Sequence, residues 1–243
     1  MKTALCLYGQ PREISNTWSL IRSNIVEPNS ADVFFHTWYD PDDLRMNKMT
    51  PGHEGRSFSF GLDHALPEAL KPKKFSIQKQ LQFHHKDFEA SDRNIELCWP
   101  WSKIYDRKLF VQDRSKAQFS MWFSIMSSLM CKDLYSHEHG FVYDCVVLSR
   151  FDVAPRLKFN ASSYDLSSLN FQDLNKERGE ITDWFMFSSN EVMNIVGSTY
   201  TAIDFHYRNS KLSDDIWTNE SFLRDHMKTF SIRSTPVDLQ VTF

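Results

Sequence analysis

Tyr143-Asp144-Cys145-Val146-Val147-Leu148-Ser149-Arg150-Phe151-Asp152 is an apolar run that ends abruptly in charge. An unbroken Cys-Val-Val-Leu segment reads as a strand buried on both faces, the kind that sits in a parallel sheet between helices. Sheets of that type hold ligands at the carboxyl ends of their strands, so a strand that surfaces at Arg150 and Asp152 marks a candidate crevice. The same ten residues also fit a buried strand whose exit carries a solvated ion pair, and the choice depends on the surrounding chain.

Upstream, Phe119, Trp122, Phe123, Met126, Met130 and Leu134 recur at helical spacing and predict a long core helix from Ser115 to about His139-Gly140. Nearer the N-terminus, Ala4 to Tyr8 reads as a strand stopped by Gly9-Gln10-Pro11-Arg12. Ile14, Trp18, Ile21 and Ile25 then mark a helix, and Asp32 to His36 a second strand, which together make a βαβ unit and imply a parallel sheet. Residues 39–114 read as an irregular insertion with a helix around Leu62–Leu70, a strand at Phe75–Gln78 and an aromatic segment, Cys98, Trp99, Trp101 and Tyr105. Downstream, Trp184–Phe187 reads as a strand and Ser188-x-x-Glu191 as a capping box. It opens a helix whose apolar face is Val192, Ile195, Val196, Thr199 and Ile203. A helix from Glu220 to about Lys228 and a last strand at Phe230–Arg233 complete a single domain over residues 1–243: α/β, three-layer α/β/α, with a Rossmann-like, mostly parallel sheet.

With 243 residues and 41% hydrophobic content, the chain is long enough for one sizeable core. A formal net charge of -3 gives no electrostatic case for nucleic acid or an anionic membrane as partner. The four cysteines are widely separated and read as reduced and structural. No transmembrane span is expected, because no apolar run approaches the ~18 residues a membrane helix needs. The opening apolar stretch is also too short for a signal peptide, so a cytoplasmic location is the expectation.

The residues that follow each strand form the candidate site: Gly9, Gln10 and Arg12, then His36 and Trp38, then Arg150 and Asp152, and finally Ser188 with Ser189. A glycine loop before a helix N-terminus, with two arginine forks, suits the oxygens of a diphosphate. No Gly-x-x-x-x-Gly-Lys-Ser/Thr loop is present, which disfavours a kinase or sulfotransferase of the P-loop type.

Leu7-Tyr8-Gly9-Gln10-Pro11-Arg12, Gln118-Phe119-Ser120, the run from Tyr143-Asp144 to Arg150-Phe151-Asp152, Thr182-Asp183-Trp184-Phe185 and Glu220-Ser221-Phe222-Leu223 occur in an order that resembles a family. It is that of the small glycosyltransferase-like proteins of bacterial and viral polysaccharide loci, which have the GT-A nucleotide-diphosphosugar transferase fold. The resemblance implies transfer of a sugar from a nucleoside-diphosphate donor to a hydroxyl on a glycan or related acceptor. It also implies an Asp-x-Asp motif that holds a divalent cation, Mn²⁺ or Mg²⁺, against the donor diphosphate. Asp152 matches the last motif position, but Arg150 stands where the first carboxylate belongs. Arg150 can in part replace the cation or simply pair with Asp152.

On this reading Gly9, Gln10, Arg12, Arg150 and Asp152 surround the donor diphosphate. Gln118, at the start of the long helix, helps hold donor or sugar, while His36 and Trp38 face the nucleobase. Inverting transfer needs a general base, for which Asp183, Glu220 and, after them, Asp204 are the candidates. Glu220 equally fits a purely structural role at a helix start, where an acidic residue suits the dipole. Metal ligands would be Asp152 and His226, whereas His84-His85 and His137-x-His139 lack the companion spacing of a zinc site. Two other functions stay open: a sugar nucleotidyltransferase, against which seven glycines in the whole chain count, and a GT-A-like glycan- or partner-binding module without catalysis.

Overall fold

In β1 (Thr3–Gly9) alternate side chains enter opposite cores: Ala4, Cys6 and Tyr8 on one side, Leu5 and Leu7 on the other, all buried. β4 (Cys145–Arg150) does the same with Val146 and Leu148 against Cys145 and Val147. Strands that are apolar on both faces demand a helical layer on each side. The computed structural model describes residues 1–11, 13–39, 62–81, 83, 107–173, 181–209 and 219–242.

On the first face lie α3 (Arg107–Glu138), α4 (Asn190–Asn209) and α5 (Asn219–Thr229), with Trp122, Ile125, Leu129, Val196 and Phe222 in the core. On the second lie α1 (Ile14–Ile21), which continues through a π-helical turn at Arg22–Val26, and α2 (Leu62–Leu70). The sheet is completed by β2 (Asp32–Trp38), β3 (Lys74–Gln78), β6 (Leu169–Gln172), β7 (Phe185–Ser188) and β8 (Ser234–Val237). Its seven strands run in the order β3-β2-β1-β4-β7-β6-β8. β3, β2, β1 and β4 pair in parallel in that order, β6 and β8 are parallel to each other, and β7, between β4 and β6, is antiparallel to both. A two-stranded pairing of β5 (Ala154–Pro155) with β9 (Val241–Thr242) lies outside that sheet.

Several expectations shift. α3 begins at Arg107, ahead of the expected Ser115, so Gln118 is an interior helix residue. Met130 and Leu134 are each 50% exposed and leave the core stripe. Steps of four residues overshoot a turn by about 40°, so the row Trp122, Met126, Met130, Leu134 winds off the buried face. The core row is instead Trp122, Ile125, Leu129 and Lys132, with mixed steps. The cap of α4 falls one residue later than expected: Ser189 Oγ accepts from Val192 N at 3.4 Å, while the Ser188 hydroxyl donates to the carbonyls of Leu166 and Ser168. The last sheet strand is Ser234–Val237, because Phe230 and Ser231 form the turn that ends α5. Within the expected insertion the helix and strand read from the sequence are present: α2 packs on the second core, and β3, which starts one residue earlier than expected, adds an edge strand beside β2.

Candidate functional site

The strand order reverses at β1, whose neighbours β2 and β4 lead to opposite edges of the sheet. The crevice outside the carboxyl ends of β1 and β4 is the switch point where open α/β sheets bind ligands. Because β7 runs the other way, the residues just before it, Asp183 and Trp184, reach that same end.

β1 contributes Tyr8 and then Gly9, whose φ of 91° suits a residue without a Cβ. Gly9 is held from two sides: its N–H donates to Ser124 Oγ at 2.7 Å and its carbonyl accepts from Thr37 Oγ1 at 2.8 Å. β4 contributes a tight turn in which Val153 N donates to Arg150 O at 3.3 Å. That turn brings two side chains together: Arg150 Nε and Nη2 donate to the two oxygens of Asp152 at 2.8 and 2.6 Å. The guanidinium lies 5.7 Å from the Trp184 ring centre, and Arg150 N donates to Trp184 O at 3.1 Å, tying β4 to the start of β7. The Tyr8 hydroxyl donates to the backbone carbonyl of Asp183. Burial, then the nearby Asp183 charge, pushes the Tyr8 phenol well above its usual range.

Asp183 is 3% exposed. Asn219, the first residue of α5, donates to its Oδ2 at 3.2 Å and also approaches Met121 Sδ at 3.3 Å. Burial first, and the Glu220 charge second, raise the Asp183 carboxyl to about 7, with Arg150 pulling the other way. Around one strand end, then, stand an arginine–carboxylate pair, a second carboxyl near neutrality and a third, half-buried carboxylate at a helix N-terminus. This set can hydrogen-bond an anionic group through Arg150 and move a proton beside it.

Other expected residues take different roles. His36 is fully buried, with Nδ1 2.7 Å from Ser124 Oγ and Nε2 3.3 Å from Gln78 Oε1. Trp38 is stacked on Phe123 and donates to Ser120 O at 3.3 Å. Both lie beneath α3 and are withdrawn from direct contact with a nucleobase: His36 instead braces the Gly9 turn through Ser124, and Trp38 packs on α3. Gln118 is buried on α3 one turn before Met121 and Trp122, and Gln10 is half-buried after β1. Arg12, His84-His85 and the aromatic segment from Cys98 to Tyr105 lie outside the described residues, as does the side chain of Asp204. The described cysteines, Cys6, Cys131 and Cys145, are buried and free.

The metal expectation does not fit these residues. Both oxygens of Asp152 are already held by a guanidinium, which a divalent cation would have to displace. His226 is turned into the contact between α4 and α5: Nδ1 is 2.9 Å from His206 Nε2, and Nε2 is 3.0 Å from Ile195 O and 2.9 Å from Ser198 Oγ. Among the described residues no three His, Cys, Asp or Glu side chains gather to hold a metal ion.

Tyr8, Trp184 and Asn219 were missed by sequence reasoning. Tyr8 was counted as the last apolar residue of its strand, and Asn219 hides beside Glu220, where an Asn reads as an ordinary helix-start residue. Fold and site together define an α/β protein with a cluster of charged side chains at the switch point of a mixed, mostly parallel sheet. No family model and no curated protein matches the chain. Among the described residues no helix is long and apolar enough to cross a membrane.

Proposed function

We propose that the chain is a cytoplasmic, GT-A-like glycosyltransferase that moves a sugar from a nucleoside-diphosphate donor to a hydroxyl of a glycan or other acceptor. The observation that carries this reading is the convergence of Tyr8, Arg150, Asp152, Asp183 and Asn219 at the switch point. A sheet with one reversed strand supports it, because the reversal brings Asp183 to the crevice.

In this reaction the anomeric carbon–oxygen bond to the diphosphate breaks and the leaving diphosphate takes the electron pair. The acceptor oxygen bonds to the same carbon and releases its proton to a carboxylate. Arg150, anchored by Asp152 and backed by Trp184, offsets the charge that develops on the diphosphate. Asp152 acts by orienting Arg150. Glu220, half-buried at the start of α5, is the carboxylate able to take the acceptor's proton if the transfer inverts, with Asp183 beside it.

The test is binding and turnover. Purified protein is screened by thermal shift against UDP-, GDP-, CMP- and dTDP-sugars, and products are followed by mass spectrometry with and without a hydroxyl acceptor. Stabilisation by one nucleotide class, with release of its nucleoside diphosphate, is the expected result; the absence of any shift defeats the donor reading. A second reading, a binding module without catalysis, is favoured by Arg150 in the first motif position and its capture of Asp152. It predicts binding of a glycan or protein partner, with no donor-induced shift and neither transfer nor hydrolysis.

A further inference from the structure

Asp183 Oδ1 and Asn219 Oδ1 are both buried acceptor oxygens without a hydrogen-bond partner, and they belong to side chains already joined by the bond from Asn219 Nδ2 to Asp183 Oδ2. Two orphan acceptors on one bonded pair are unexpected in a core that satisfies nearly all its polar atoms. A single proton on Asp183 Oδ1, given to Asn219 Oδ1, would satisfy both and close an acid–amide pair with two antiparallel hydrogen bonds.

We infer that Asp183 is held as a neutral carboxylic acid whose proton is shared with Asn219, leaving Glu220 as the ionised carboxylate of the site. Around Asp183, burial and Glu220 favour the neutral acid and outweigh Arg150, which favours the ionised form and is engaged by Asp152. From β1 comes Tyr8, whose hydroxyl is spent on the Asp183 backbone carbonyl and which does not reach the carboxyl. From β4 comes Arg150, whose Nε and Nη2 each donate to Asp152. From α5 comes Glu220, which disfavours a second negative charge nearby, and from α3 comes the thioether of Met121. Burial and Glu220 together hold the Asp183 carboxyl near 7, while an ordinary carboxyl such as that of an exposed Asp ionises far lower.

Two neighbouring carboxyls driven apart in this way divide the work of a site. Glu220 is then the proton acceptor. The closed Asp183–Asn219 pair adds no negative charge where an anionic group must approach Arg150. Asn219 is a positioning residue: it acts through the proton it shares. This rests on the proposed donor reading only for its role in catalysis, not for the protonation itself.

The experiment needs no ligand. Protein labelled with ¹³C at aspartate Cγ and ¹⁵N at asparagine side chains is titrated by NMR from pH 5 to 9, with Asp183→Asn and Asn219→Leu used for assignment. The expected result is an Asp183 carboxyl protonated at pH 5 that ionises near neutrality. The Asn219 side-chain amide should titrate at the same midpoint and become silent in Asp183→Asn, and Glu220→Gln should move the Asp183 midpoint down. An Asp183 already ionised at pH 5, or an Asn219 amide indifferent to the Asp183 midpoint, overturns the inference. A second arm measures UDP binding against pH. Weakening above the midpoint in the native protein, absent in Asp183→Asn, supports the role at an anion site; equal pH dependence in both proteins removes that role. No binding of UDP at any pH strikes the donor reading alone, since the NMR midpoint decides the protonation.

Discussion

The Arg150–Asp152 pair stands at the centre of the candidate site and is also a partly buried ion pair, with Asp152 only 2% exposed and the Arg150 side chain 24% exposed. Removing one partner of such a pair strands the other charge, whereas removing both costs much less. We therefore expect Arg150→Ala to destabilise the protein by roughly 3–5 kcal/mol and Arg150→Ala/Asp152→Ala by clearly less than the sum of the single changes. Urea unfolding of the four proteins in the cycle measures this, and additivity would mean that the pair contributes nothing as a pair. Asp183 behaves oppositely. Its folded carboxyl near 7 lies above the ordinary 3.8, so the native state keeps a proton that the unfolded chain loses as pH rises between those values. Stability from this group is full below 3.8 and is lost as pH climbs toward 7. Asp183→Asn removes that loss and is expected to raise stability at pH 8 by on the order of 1–4 kcal/mol, while lowering any transfer activity. An Asp183→Asn variant less stable than the native protein at pH 8 would contradict the assignment.

At the scale of the elements, α5 delivers Asn219 and Glu220 to the crevice and is itself fastened to α4 by two histidines. The arrangement that satisfies both has His206 Nε2–H donating to His226 Nδ1 and His226 Nε2–H donating to Ile195 O, so each ring must be neutral. Burial lowers both rings, His226 to about 4, with His206 adding to the effect; burial likewise lowers His36, beneath α3, to about 4. Depressed histidines leave stability intact above the ordinary 6.5 and erode it as pH falls from there toward 4, because the unfolded chain takes up protons first. This slope opposes that of Asp183, so it is best read in Asp183→Asn. There the urea midpoint should hold between pH 7 and 8 and drop between 6.5 and 4, with a shallower drop on adding His226→Gln; an unchanged slope would remove His226 from the acid transition. None of this fastening was legible in the sequence, where His226 read as a metal ligand. Spacing shows which residues share a helix face, not which second helix they meet. Lys132 shows the same limit: it is fully buried between α3 and α4, with Nζ bonded to Asp133 at 2.5 Å, Asn194 at 3.1 Å and Asn190. A lysine in a core row carries no signal of the partners that will satisfy it.

For the molecule as a whole, the strands that carry the site were readable because both their faces are buried: β1 and β4 hold unbroken apolar runs, β2 holds a shorter one, Val33 to Phe35, and Arg150 and Asp152 break the run of β4. β6 and β8 were not readable. Leu-Asn-Phe-Gln and Ser-Thr-Pro-Val are four-residue strands rich in polar residues or proline, and only pairing with each other and with β7 makes them sheet. His36 and Trp38 were misread for a related reason, since a residue at a strand end reaches the crevice only if no helix covers it, and here α3 does. The same fold geometry governs the last prediction. Arg150 already occupies both Asp152 oxygens, so a metal ion would first have to displace it, and the paired guanidinium is itself the cationic group that a diphosphate would meet. A donor bound at 100 times its Kd adds about 2.7 kcal/mol to native stability by mass action, which for a chain of this size is a shift of several degrees in Tm. We expect that shift to be the same, within error, in Mn²⁺ and in EDTA for the native protein, and to be lost in Arg150→Ala in EDTA. A donor-induced shift that appears only with Mn²⁺ would show that the cation displaces the guanidinium from Asp152 and would return this site to metal-assisted chemistry.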